Sequence, residues 1–112
     1  MSNQQISVKE YDTIAIHCQY LDDKGAPISL INTTITADIK SYDGKVLEHL
    51  IVEIDDVSNG VFILTTEKSD LAPHKYLIDV LFESKSSGRR VSSETFYLRV
   101  NPAITKPRWQ HG

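Results

Sequence analysis

Apolar and polar residues alternate with a period of two along most of the chain, and no stretch keeps a helical period for ten residues. Ile14, Ile16, Cys18 and Tyr20 fall on one face of a predicted strand, with Thr13, His17 and Gln19 on the other. Asp22-Asp23-Lys24-Gly25 then turns the chain, and Pro27 removes a ladder donor just after it. Ile28 and Leu30 lead into a second clear alternation. There Ile35, Ala37 and Ile39 face inward while Thr34, Thr36, Asp38 and Lys40 face outward.

Asp43-Gly44 is the strongest local signal. The dipeptide suits a two-residue type I′ turn, whose positive φ angles match the twist of paired strands. That turn fixes a register: Tyr42 opposes Lys45, Ile39 opposes Glu48, Ala37 opposes Leu50 and Ile35 opposes Val52. The apolar sets of both strands then share a face, as a half-buried hairpin requires, and only Glu48 breaks the pattern.

Asp55 to Gly60 reads as another turn, and Gly60-Val61-Phe62-Ile63-Leu64 as the start of a further strand. Ser69 to Pro73 suits one helical turn capped by Ser69. Tyr76, Ile78, Val80 and Phe82 alternate through a strand, Ser84 to Arg90 forms a polar loop, and Phe96, Leu98 and Val100 make a last strand. With a weak first strand around Ile6 and Val8, about seven closely spaced strands result, the mark of a sandwich or barrel. Tyr76, at the start of the penultimate strand and just after a corner at Leu71–Lys75, matches the tyrosine corner of Greek-key sandwiches. The expected fold is an all-β, immunoglobulin-like Greek-key β-sandwich.

The length, 112 residues, suits one domain and not two, so the reading is a single domain over residues 1–100 followed by an extended arm over 101–112. A net charge of −3 argues against sequence-blind nucleic-acid binding, which needs a basic face to release counterions from phosphates. One cysteine permits no disulfide within the chain. Neither a signal peptide nor an apolar run near the ~20 residues that span a bilayer is legible, so synthesis in the cytoplasm and no membrane partner are expected.

Chemistry-bearing residues are few. His17 and Cys18, adjacent on a strand, point to opposite faces and cannot pair as base and nucleophile; Cys18 is expected to be a small core residue. His17, His49, His74 and His111 lack zinc-ligand spacing. His49 opposes Asp38 on the outward face, an ordinary cross-strand pair. Asp22/Asp23 and Asp55/Asp56 lack the alternation of a calcium loop and read as solvated turns, and Arg89-Arg90 as a solvated loop tip. Glu53 and Asp55 have no cleft legible around them. No phosphate loop, nucleophile elbow or nucleotide fingerprint is present, so neither a cofactor nor enzymatic activity is expected. The candidate interaction residues are Arg108 and Trp109, on the arm Lys106-Pro107-Arg108-Trp109, because these residue types anchor interfaces.

The ordered set of signals resembles small immunoglobulin-like proteins of tailed bacteriophages, including the amino-terminal domain of upper baseplate proteins. The resemblance rests on Pro27-Ile28-Ser29-Leu30, Ala37-Asp38-Ile39, Asp43-Gly44-Lys45-Val46, Gly60 to Leu64, Pro73 through Val80, and Phe96 to Val100. It covers roughly residues 8 to 100. It implies a virion or tail-associated structural role, by contacts with other virion proteins or with itself, and offers no catalytic residues. Such domains often head a longer fibre or baseplate chain, whereas this sequence stops at Gly112. A carbohydrate- or cell-surface-binding module is the other reading; it would present exposed aromatics, for which Tyr11, Tyr42 and Tyr97 are the candidates.

Overall fold

The computed structural model describes residues 5–66, 71–92 and 95–103. These hold nine strands: β1 (Gln5–Lys9), β2 (Ala15–Gln19), β3 (Thr33–Lys40), β4 (Val46–His49), β5 (Ile51–Asp56), β6 (Val61–Thr65), β7 (His74–Ser84), β8 (Arg90–Ser92) and β9 (Phe96–Asn101). The larger sheet runs β1-β9-β7-β3-β4, with β8 also on β7, and the smaller runs β2-β6-β5. Chain order crosses repeatedly between the two sheets, and the architecture is an immunoglobulin-like Greek-key β-sandwich.

The period-two positions supply the core. Ile14 and Ile16, Ile35, Ala37 and Ile39, Phe62 and Leu64, Tyr76 to Phe82 at alternate positions, and Leu98 with Val100 are all buried between the sheets. Each large aliphatic or aromatic side chain removed from water in this way stabilises by about 1.5–3 kcal/mol. Where a polar group enters the core it is paired: Thr66 donates its N–H to the Ile14 carbonyl (3.1 Å) and accepts the Ile14 N–H at Oγ1 (3.2 Å).

The hairpin at Asp43-Gly44 forms, but not with a type I′ turn. Only Gly44 has positive φ (89°), and its N–H donates to the Ser41 carbonyl at 2.9 Å. The loop is therefore Tyr42-Asp43-Gly44, with glycine in the left-handed position that a three-residue hairpin needs. The Asp43 carboxylate accepts the Ser41 hydroxyl and the Lys45 N–H, which holds Asp43 out of the left-handed region. Ser41, not Tyr42, thus opposes Lys45. A bulge then inserts Leu47 between the pairs Lys40↔Val46 and Ile39↔Glu48, which restores the expected register by Asp38↔His49.

Two further expectations are corrected. Leu50 does bond to Ala37 (N–H to carbonyl, 2.9 Å), but Ile35 does not oppose Val52. The chain leaves the larger sheet at Leu50, and Val52 pairs with Leu64 in the smaller one. A single long hairpin would leave its apolar face without a facing layer; crossing at the buried Leu50 helps build that layer. The expected polar loop after Ser84 is also shorter, because Arg90–Ser92 pairs with Leu81–Glu83 as β8, on the line that β9 continues. The expected helical turn falls on Ser69 and Asp70, which lie outside the described residues. Leu71 to Pro73 is not helical.

Candidate interaction cleft

The sandwich closes on one side and opens on the other. Among the described residues the smaller sheet has only β2 beyond β6, whereas the larger sheet continues past β7 to β8, β9 and β1. Between β2 and that overhang lies an open cleft of about 1100 Å³. One wall carries Ile16, Cys18 and Tyr20, the other Ile6, Val91 and Phe96, and Phe62, Val80 and Phe82 line the interior. Tyr20 stacks on Phe82 with ring centroids 3.9 Å apart, and Phe62 meets Phe82 edge-on at 5.7 Å, so an aromatic cluster lines the cleft.

The backbone of β2 adds directionality. Tyr20 donates its N–H to Gly60 and Ile14 accepts from Thr66, so the even-numbered residues of this strand face β6. By the alternation of an antiparallel ladder, Ala15, His17 and Gln19 turn their N–H and C=O groups away from β6, along an edge that no other described strand pairs. Asp22 and Asp23, just after this strand, and Arg89, just before β8, also line the cleft.

Cys18 was expected to be a core residue. It packs against the core but is only half-buried, because its strand is the cleft wall rather than a central strand. Burial still pushes its thiol up from the ordinary 9.0 to about 11. His17 is exposed on the other face of β2, as the strand alternation requires.

The remaining sequence candidates are accounted for locally. His49 and Asp38 meet across β3 and β4 at 2.6 Å, on a histidine that is 83% exposed. Asp22 accepts the N–H groups of Lys24 and Ala26, each at 2.9 Å, and Asp56 accepts two bonds from Asn59. Both carboxylates therefore serve their own turns. Bonds from the Asn59 side chain and backbone hold the Asp56 carboxyl below the usual range. Glu53 and Asp55 are exposed on β5. Arg89 is exposed at the cleft, and Arg90 reaches Glu83 at 3.4 Å. Among the described residues no three His, Cys, Asp or Glu side chains gather as metal ligands would. No helix among them is long and apolar enough to cross a membrane. Arg108, Trp109 and His111 lie outside the described residues.

The structure brings together two aromatic residues that stand far apart in the sequence. Tyr42 and Tyr97 lie with ring centroids 6.4 Å apart on the outer face of the larger sheet, and Lys75 Nζ sits 4.6 Å from the Tyr97 centroid. Tyr11 occupies the turn after β1 with φ 73°. The cleft itself was not legible in the sequence; its only signal was the apolar face of residues 14–20 on a strand whose neighbours could not be assigned.

No family model and no curated protein matches the sequence. Among solved structures, CopC from Methylosinus trichosporium OB3b is similar, with a TM-score of 0.56 and 16% identity, covering 95% of this chain and 91% of that one. A likeness at that identity shows the fold alone. Fold and site together define a β-sandwich that, among the described residues, has an open cleft and a strand edge paired by no other strand.

Proposed function

We propose that the chain is a non-enzymatic structural or assembly component of a phage or prophage virion, associated with tail, baseplate or fibre. It acts by protein–protein contacts, and is made in the bacterial cytoplasm before entering the particle. The observation that carries the reading is the cleft beside β2, where backbone groups that no other described strand pairs run along an apolar wall. An extended segment of another protein gains main-chain bonds from such an edge and specificity from alternate side chains set into the cleft. The bacteriophage setting rests on the sequence resemblance, since one fold hosts unrelated functions. The test is to purify particles from a producing strain and identify their proteins by mass spectrometry. The chain is expected at a fixed stoichiometry to tail proteins; its absence from washed particles would end this reading.

A second reading, a carbohydrate-binding module, is favoured by the exposed Tyr42 ring beside the half-buried Tyr97, because exposed rings can stack on sugar faces. Its measure is a glycan array, on which Tyr42→Ala would abolish any signal the parent chain gives.

A further inference from the structure

We propose that the cleft beside β2 receives residues 104–112 of a second copy of this chain, with Trp109 as the apolar anchor and Lys106 and Arg108 opposite Asp22 and Asp23. This deepens the assembly reading by naming one partner and its segment.

Three observations support it. The cleft is apolar at its centre (Ile16, Phe62, Phe82, Phe96) and acidic at one end, where Asp22 and Asp23 are both exposed. The segment Ile104-Thr105-Lys106-Pro107-Arg108-Trp109 carries the complementary pattern, an indole beside two cations. The third observation is where the described chain leaves the sandwich. β9 begins at the cleft with Phe96 and runs away from it, and Ala103 is held at the far end by its N–H to Glu10 Oε1, at 3.5 Å.

Nine residues extend to at most about 30 Å. To fill its own cleft the segment would have to reverse at Ala103 and travel back past β1, which covers the outer side of β9. The same length is enough to reach a neighbouring copy without that reversal. A strand laid along Ala15, His17 and Gln19 would also cover an open edge that otherwise invites indiscriminate pairing.

The experiment uses the full chain and sedimentation over a wide concentration range. Self-association is expected, weakened at least roughly tenfold by Trp109→Ala and by Arg108→Glu, as for interface anchors. Asp23→Lys placed in the Arg108→Glu chain should restore it. Cys18 alkylation reports occupancy of the cleft: it should slow as concentration rises in the parent chain and not in Trp109→Ala. A chain that is monomeric throughout, or a Trp109→Ala chain that associates unchanged, would overturn the proposal. So would Cys18 protection that depends on Trp109 but not on concentration, which would place the segment in its own cleft. Particle incorporation of Trp109→Ala is read separately: loss of self-association with incorporation kept supports this contact and leaves the virion reading standing. Self-association without incorporation of the parent chain would remove the virion reading alone.

Discussion

Tyr76 donates its hydroxyl to the carbonyl of Ala72 at 2.6 Å, closing the corner through which the chain enters β7. The ring is buried against the core at 7% exposure, and desolvation pushes its phenol above the ordinary range. One hydrogen bond thus ties the entry segment to the longest strand of the larger sheet, whose partners are β3, β8 and β9. Tyr76→Phe keeps the packing and removes only that bond, so it should cost roughly 1 kcal/mol. Urea denaturation checks this, and an unchanged midpoint would show that the bond contributes nothing.

Two glycines at positive φ should respond differently to substitution. A Cβ at Gly44 meets nothing within 4 Å, so Gly44→Ala should cost about 1 kcal/mol from backbone strain alone and Gly44→Val somewhat more. A Cβ at Gly60 would stand 2.5 Å from the Ile28 carbonyl oxygen and 2.9 Å from that of Tyr20. Those oxygens belong to backbone, and Tyr20 accepts the Ile28 N–H at 2.9 Å, so the neighbourhood cannot yield cheaply. Gly60→Ala should therefore exceed Gly44→Ala by more than about 1 kcal/mol. Equal losses in thermal melts would contradict the close approach at Gly60.

Cys18 gives a pH dependence of known sign. Its folded pKa, about 11, lies above the ordinary 9.0, so the folded chain holds the thiol proton more tightly than the unfolded one. The associated stability is present below pH 9.0 and is lost as pH rises toward about 11. Alkylation of the native chain should keep accelerating through that window, where an ordinary thiol would level off near 9.0. A plateau near the ordinary value would place the thiol in water. In Cys18→Ser the alkaline loss of stability should shrink.

The Asp38–His49 pair, short as it is, should matter little. His49 is exposed on the edge strand β4, where water competes for both partners. His49→Ala and Asp38→Asn are each expected to change stability by less than about 0.5–1 kcal/mol. A loss well beyond that would give this pair a structural part that its exposure argues against.

The period-two pattern by itself determined which residues meet in the core, because a strand offers only two faces and Ile35, Ala37 and Ile39 can share one only in that spacing. It also determined the tyrosine corner, whose donor and acceptor are four residues apart, and the pairing of Asp38 with His49. The turn type, the bulge at Leu47 and the crossing at Leu50 were decided by tertiary structure. Each depends on what the hairpin must leave uncovered, and the local sequence is compatible with more than one answer. The cleft belongs to the same class. Ile14, Ile16, Cys18 and Tyr20 have the same alternation, yet the first two are buried and the last two are half-buried. The alternation records only which face points inward. How far the opposite sheet extends over that face is set by strand order, which is a property of the assembled fold.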